Sequence, residues 1–299
     1  MSPSNLEKKH QAKSNLSSWI LTLPGLIWLL VFFFVPYSVI LLYSFMTPNV
    51  YDINYVFSFD AYQNIFHTNY IGSFLISLRL ALVTTLISLL MGYPVAYYIA
   101  RSSVRIKNFL LILIIVPFWT NFIIRIFSWR IFLAPDGVLN SVLLNLHLVD
   151  GPLRILRTDF AVILVMVYVY LPYMILPLYS VLEKIDFTLL DAAKDLGADS
   201  WKAFYKITLP LSKQGIIAGA ILVFIPSLGA YIIPQIVGNQ NSLYIGQIIT
   251  YKIKNIPRNW PLASGLSLIL LAIIVVLLIG FYQTYRRLKR KENGIYDFK

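Results

Sequence analysis

The chain has 299 residues, of which 58% are hydrophobic and only 13% are charged, and its mean hydropathy is +0.72. This charged fraction is about half that of an average soluble domain, so the composition excludes a water-soluble protein and indicates a membrane protein. No cysteine is present, which excludes a disulfide framework, a thiolate metal site and a thiol nucleophile. The three histidines fall in separate loops or the tail, so neither a metal site nor a catalytic residue is predicted.

Six charge-free stretches predict the membrane-spanning helices. Each is close to or longer than the roughly 20 residues with which a helix crosses a bilayer. They are residues 14–51, 80–100, 108–124, 160–182, 214–251 and 259–285. The apolar segment 19–43 is too long for the core of a signal peptide, so we expect it to remain as the first transmembrane helix.

Lysine and arginine are unevenly shared between the two sides of these spans. The side that holds both termini carries 17 of them and the opposite side five, while Arg79, Arg125 and Arg130 lie near span ends. Because basic residues resist translocation, the richer side is cytoplasmic. This distribution also explains the net charge of +12 without a nucleic-acid-binding patch. The prediction is an all-α protein of the cytoplasmic (inner) membrane, with six transmembrane helices and cytoplasmic N- and C-termini.

The predicted organisation follows from these spans and the loops between them. Its parts are a cytoplasmic tail 1–18, a first transmembrane helix 19–43, an external loop 44–70, a transmembrane core 71–285 that includes a cytoplasmic loop 183–213, and a basic cytoplasmic tail 286–299. Prolines lie well inside three of the spans: Pro117, Pro172, Pro177, Pro226 and Pro234. Each frees a backbone carbonyl, so we expect these spans to face the protein interior.

The cytoplasmic loop 183–213 has a pattern unlike the rest of the chain. It carries five acidic and five basic residues and predicts two short helices. Asp186 or Thr188 can cap the first, and Gly197 can end it in a left-handed conformation. Asp199 or Ser200 can cap the second, and Pro210 is then predicted to open the fifth span.

One face of the first short helix suits a partner surface. Leu189, Ala192, Ala193 and Leu196 share this face by their three- and four-residue spacing. The alanines allow close approach, while the leucines supply side chains that can enter a groove. A helix resting on lipid would show larger apolar residues and a basic polar face, so docking to a partner is the favoured interpretation.

The same loop resembles the signature of ABC importer permeases, E-A-A-x3-G-x9-I-x-L-P. Asp191 stands where the family usually has glutamate, and the spacing matches throughout. The matching residues are Asp191, Ala192, Ala193, Gly197, Ile207, Leu209 and Pro210. The resemblance implies a type I ABC importer permease fold, in which this loop is a coupling helix seated in a cleft of a cytoplasmic ATPase subunit.

Four further stretches are similar to the spermidine/putrescine permeases. They are VPFWTNFIIRIFSW at 116–129, GVLN at 137–140, LPYMILPLYSVLEKID at 171–186 and NWPLASG at 259–265. Where that family sometimes carries an acidic residue after the glycine of the fifth span, this chain has Gly229-Ala230-Tyr231. The resemblance implies a polyamine importer whose partners are a second homologous permease, two cytoplasmic ABC ATPase subunits and an extracytoplasmic polyamine-binding protein, with the lipid bilayer around it.

The six charge-free stretches hold no carboxylate, so aromatic faces are the candidates for guiding a cation. Each such contact is worth roughly 0.5–2 kcal/mol. The candidates for the translocation path lie beside prolines or at the Gly229–Ala230 pair: Phe118, Trp119, Tyr168, Tyr170, Tyr173 and Tyr231. Packing and interfacial roles remain open for each of them.

The sequence contains no G-x4-G-K-[ST] phosphate-binding loop, so no enzyme activity is predicted and MgATP is expected on the partner ATPase. Two alternatives remain open. One is a permease of the same architecture for another small solute, such as iron(III), sulfate or thiamine. The other is an ATP-independent secondary carrier, although such carriers usually need a charged group or an unwound site within the membrane.

Overall fold

Long apolar runs form helices here because a helix satisfies every backbone hydrogen bond within its own segment. The computed structural model describes residues 22–49, 53–67, 70–239 and 244–296, with side chains described as far as residue 283. The predicted tail 1–18 and the last three residues lie outside this range. Within the described part, the chain is mostly helical and divides into two compact units, residues 1–67 with 252–268, and residues 68–251 with 269–299.

The first unit contains helix α1, a short hairpin and helix α2. Their bounds are Thr22–Tyr43 for α1, Met46–Pro48 for strand β1, Ile53–Phe57 for strand β2 and Asp60–His67 for α2. The apolar stretch of α1 is entirely unburied, as suits a helix surrounded by lipid. The two strands pair antiparallel, so the predicted external loop 44–70 contains a short hairpin in a chain that is otherwise mostly helical.

Aromatic stacking explains why the hairpin forms. The ring of Phe45 stacks on Phe57 with centroids 5.5 Å apart, and Phe59 packs edge-on against both rings. The hydroxyl of Tyr62 in α2 donates to Ser44 Oγ at 2.9 Å. The sequence pattern showed the turn residues of this loop, but not that its aromatic residues would meet.

The second unit contains most of the remaining helices. Their bounds are Tyr70–Arg101 for α3, Val104–Ile115 for α4, Phe122–Phe132 for α5, Val138–Asn145 for α6, Asp159–Leu182 for α7, Thr188–Asp195 for α8, Ser200–Ala203 for α9, Lys213–Leu228 for α10, Ile232–Val237 for α11, Ile245–Lys254 for α12 and Trp260–Tyr296 for α13. Helix α12 ends in the first unit, and α13 begins there and continues through the basic residues 286–291.

Helices α3, α7 and α10 pack on one another and form the core of this unit. Helix α7 is central, with Val165, Met166 and Leu178 fully buried. The close approach of α10 to α7 depends on two glycines of α10. A Cβ on Gly219 would lie 2.7 Å from Met174 Sδ, and one on Gly215 would lie 3.0 Å from the Leu178 Cα. The predicted interior position of the proline-containing fourth span is therefore confirmed.

Two of the predicted spans are broken. Residues 104–119 and 122–132 form a helix pair bent by 93°, and residues 200–211 and 213–228 form a pair bent by 64°. The charge-free stretch 214–251 contains more than one helix, because α10 ends at Leu228 and two shorter helices follow. Among the described residues, four helices can cross a membrane, or up to six if each bent pair is one span.

Candidate functional site

Residues 186–212, here called the connecting segment, form the stretch in which the sequence pattern was most specific. Its first helix, α8, starts where the Asp186 carboxylate accepts the Thr188 hydroxyl at 2.8 Å and the Thr188 N–H at 3.0 Å. These bonds, first from the hydroxyl and then from the backbone, lower the pKa of Asp186 below its ordinary value. The predicted cap is confirmed.

Gly197 ends α8 as predicted. Its φ is +85°, in the left-handed region that residues with a Cβ rarely adopt. Its N–H donates to the Lys194 carbonyl at 2.8 Å, and the next N–H, from Ala198, donates to the Ala193 carbonyl at 3.0 Å. The helix end is therefore closed by backbone bonds that depend on glycine geometry.

Asp199 caps the second helix. Its Oδ1 accepts the Lys202 N–H at 2.6 Å, and this backbone bond lowers the pKa of Asp199 below its ordinary value. Helix α9 continues as a π-helical turn at Phe204–Thr208 and a short helix at Leu209–Leu211. Pro210, which was predicted to open the fifth span, lies in the first turn of that short helix. The chain bends at Ser212 and α10 begins at Lys213, so Pro210 lies before the bend.

The outer side of the connecting segment carries bare apolar side chains. Leu189 is 49% exposed, Leu196 is 90% exposed and Trp201 is 71% exposed. The opposite side is closed, since Leu190, Ala203 and Thr208 are buried. Exposed leucine and tryptophan side chains surrounded by charged residues form a surface that can bind a partner.

The candidate coupling residues do not all share this exposure. Asp191 and Ala192 are exposed, and Asp191 forms an ion pair with Lys194 at 3.3 Å. Gly197 is exposed as well, whereas four of the candidates are half-buried: Ala193, Ile207, Leu209 and Pro210. Sequence reasoning did not include Trp201 and Tyr205 in the site, although their spacing of four residues was a signal. Their rings stack with centroids 6.1 Å apart.

The structure brings together three of the six candidate path residues. The ring of Phe118 lies edge-on to Tyr173 with centroids 5.2 Å apart, and Tyr170 lies 6.3 Å from Tyr173. We call Phe118, Tyr170 and Tyr173 the aromatic cluster. The Arg125 guanidinium lies over the Phe118 ring at 5.7 Å, a contact with the aromatic cluster that the sequence pattern did not indicate.

The other three candidates lie elsewhere. Tyr168 packs on Trp129 at 5.3 Å, Trp119 is 81% exposed, and Tyr231 lies between α10 and α11. Throughout the described ranges, His, Asp and Glu side chains form no group of three that could hold a metal ion. What the second unit offers chemically is an open apolar docking face and a set of aromatic rings able to contact a cation.

Comparison with known proteins gives matches over nearly the whole chain. Residues 89–292 match the family model described as "Binding-protein-dependent transport system inner membrane component". The chain is 40% identical over 279 residues to the spermidine/putrescine transport system permease protein PotB of Salmonella typhimurium, covering 93% of this chain and 96% of that one. It is likewise 40% identical to the PotB of Escherichia coli, covering 91% of this chain and 98% of that one.

Two solved structures have a similar fold. A bacterial ABC transporter involved in the import of the acidic polysaccharide alginate has a chain that superposes with a TM-score of 0.71 and 18% identity, covering 94% of this chain and 99% of that chain. The alginate transporter in complex with a periplasmic protein that holds an alginate pentasaccharide gives a TM-score of 0.68. At this identity the likeness concerns the fold alone.

Proposed function

The chain belongs to the family of binding-protein-dependent transport system inner membrane components, and from this premise we propose that it is the membrane-spanning permease subunit of an ATP-driven polyamine importer. The observation that carries the proposal is the 40% identity, over 93% of the chain, to permeases named for spermidine and putrescine transport. The chain is a transport subunit, and ATP is hydrolysed on separate subunits.

The proposed assembly contains this chain, a second homologous permease, two cytoplasmic ATPase subunits and an extracytoplasmic binding protein that delivers the polyamine. The proposed topology counts each bent helix pair as one span, which gives six spans with both termini on the same side of the membrane. That side is assigned to the cytoplasm because it is richer in lysine and arginine. The exposed side chains of Leu189, Leu196 and Trp201 support docking of the connecting segment on an ATPase. The aromatic cluster supports passage of a cation, since ring faces attract ammonium groups.

Weak contacts suit a translocation path. A polyamine carries several ammonium groups on apolar stems, and each ring contact is worth roughly 0.5–2 kcal/mol. A buried carboxylate would bind the cation far more strongly and would slow its release. Selectivity is therefore assigned mainly to the extracytoplasmic binding protein.

The test is uptake of radiolabelled spermidine and putrescine into proteoliposomes that contain the full complex. We expect uptake that requires both ATP and the binding protein. Uptake of another solute but not of polyamines would overturn the assigned substrate, and polyamine uptake without the ATPase would overturn the assigned class.

A variant of the docking face extends this test. Leu196→Asp places a charge on a side chain that is 90% exposed, so the fold is retained while ATPase docking is lost. We expect ATP-dependent uptake to fall at least about tenfold, since docking residues of this kind are worth roughly 2 kcal/mol or more. Leu148→Asp is the matched control, because Leu148 is 65% exposed but lies after α6, outside the connecting segment. Equal uptake by both variants would contradict the docking assignment.

A further inference from the structure

Ser212 lies at the bend that joins the connecting segment to α10. Its backbone bonds to helical turns on either side: its N–H donates to the Thr208 carbonyl at 2.9 Å, and its carbonyl accepts the Ile216 N–H at 3.0 Å. Its side chain is fully buried, and its hydroxyl donates to the Leu209 carbonyl at 3.1 Å. Ser212 therefore belongs to both arms of the 64° bend.

Helix α3 contacts this bend through a tyrosine. The hydroxyl of Tyr93 lies 2.8 Å from Ser212 Oγ, in surroundings closed to solvent. The two hydroxyls form a hydrogen bond in which either can be the donor. The hydrogen bond joins positions 119 residues apart in the sequence and fixes one point of α3 to the bend.

The same face of α3 also holds the rest of the connecting segment. Tyr93, Tyr97 and Arg101 are spaced by four residues and so share one face of the helix. Tyr93 and Tyr97 both pack edge-on to Phe204, at 5.6 Å and 6.2 Å.

The contacts continue to the start of the segment. Tyr97 lies 6.2 Å from Phe187, and the Arg101 guanidinium lies over the rings of Tyr97 and Phe187 at 5.5 Å and 5.3 Å. Three successive turns of α3 therefore hold the segment before α8, at the π-helical turn and at the bend.

The two sides of the connecting segment thus differ in what they contact. The outer side is free for a partner, and the inner side packs on α3. A displacement of the outer side has to displace Phe204 against the rings of α3, and Ser212 against Tyr93, because no solvent layer separates them.

We propose that Tyr93 and Ser212 are positioning residues which, with Phe204, transmit movement of the connecting segment to α3 and to the bend before α10. The inference rests on the proposed function, since it needs an ATPase seated on the outer side. The Tyr93–Ser212 hydrogen bond keeps the bend in register with α3, so its loss allows the segment to move with the ATPase without moving the membrane helices. ATP is then hydrolysed without a matching number of polyamines transported.

The experiment measures polyamine uptake and ATP hydrolysis together, in proteoliposomes that contain the complete transporter. Tyr93→Phe and Ser212→Ala each remove one hydroxyl and leave the apolar contacts in place. We expect either variant to lower the number of polyamines transported per ATP about two- to tenfold, with the binding-protein-stimulated hydrolysis retained. The double variant is expected to match the single variants, because all three lack the same bond.

Two matched controls accompany these variants. Ser227→Ala removes another buried serine hydroxyl of α10, one that donates only to Val223 within its own helix. Tyr98→Phe changes a tyrosine of α3 that faces away and is 62% exposed. Both are expected to keep the wild-type ratio.

The possible results separate the inference from the proposed function. A wild-type complex that does not transport polyamines with ATP would overturn the proposed function. A working wild-type complex whose Tyr93→Phe variant keeps the normal ratio would overturn the inference alone. Additive losses in the double variant, or loss of the ATPase from the purified complex, would also overturn it, because they indicate independent roles or a purely structural one.

Discussion

The connecting segment and the aromatic cluster are built in opposite ways. In the connecting segment, Asp186 bonds to Thr188, Asp199 bonds to Lys202 and Gly197 closes the helix between them, so partners are at most five residues apart. In the aromatic cluster, Phe118 follows α4 while Tyr170 and Tyr173 lie on α7. A docking surface can therefore be formed by hydrogen bonds between residues close in the sequence, whereas a path between helices depends on how the helices pack.

The two regions also differ in the side chains that they offer for contact. The connecting segment presents large exposed side chains on a backbone held rigidly by caps. The aromatic cluster offers ring faces, one of which already contacts the Arg125 guanidinium. Substitutions in the first region should therefore cost more function than substitutions in the second.

The largest effect is expected for Gly197→Glu. The glycine has φ +85°, where a side chain costs about 1–2 kcal/mol, and the new carboxylate would lie on the docking face. We expect stimulation of ATP hydrolysis to fall at least about fivefold with membrane insertion unchanged.

Gly151→Glu is the control for this variant. Gly151 is also exposed, and a Cβ added to it would meet no atom within 4 Å. Its φ is not in the left-handed region, however, and it lies after α6, outside the connecting segment. If ATP hydrolysis is stimulated equally in the two variants, the connecting segment does not differ from an ordinary loop, and its assignment as a docking surface is contradicted.

A smaller effect is expected for Tyr173→Leu. This change removes the ring that contacts both Phe118 and Tyr170, and one cation–π contact is worth roughly 0.5–2 kcal/mol. The KM for polyamine uptake should rise about two- to tenfold, while Tyr173→Phe, which keeps a ring face, should stay near wild type. Uptake by the leucine variant that matches wild type would show that the aromatic cluster only packs the helices.

The smallest effect is expected for Glu183→Gln, just before the connecting segment. Hydrogen bonds from Tyr179 and then from Lys107, whose Nζ lies 2.9 Å from Glu183 Oε1, lower the pKa of this carboxyl below its ordinary value of 4.5. A depressed folded-state pKa stabilises the protein above pH 4.5, and this contribution is lost as the pH falls through the folded-state pKa.

The measurement is the Tm of the purified protein between about pH 7 and about pH 3. The wild type should be more stable than Glu183→Gln at neutral pH by less than about 1 kcal/mol, since the Lys107–Glu183 ion pair is partly exposed. This difference in stability should disappear at acidic pH. Asp195→Asn, at an exposed carboxylate of α8, is the control. A gap that is constant with pH would show that the charge of Glu183 does not stabilise the fold.

The family and the membrane location were predictable from the sequence and are confirmed by similarity to known permeases. Both follow from features that are continuous in the chain: apolar runs long enough to cross a bilayer, and the spacing from Asp191 to Pro210. The assignment of the connecting residues to ATPase coupling stays a prediction, as do the six spans and the partners.

Short-range patterns in the chain are enough to predict where helices are apolar, where they are capped and where Gly197 must end one, because these depend on residues within a few positions of each other. The 93° and 64° bends, the hairpin before α2, and the pairing of Tyr93 with Ser212 become visible only once the chain is folded. Bends and long-range contacts depend on which helices pack together, and a charge-free apolar run satisfies its backbone equally well whether or not it is broken.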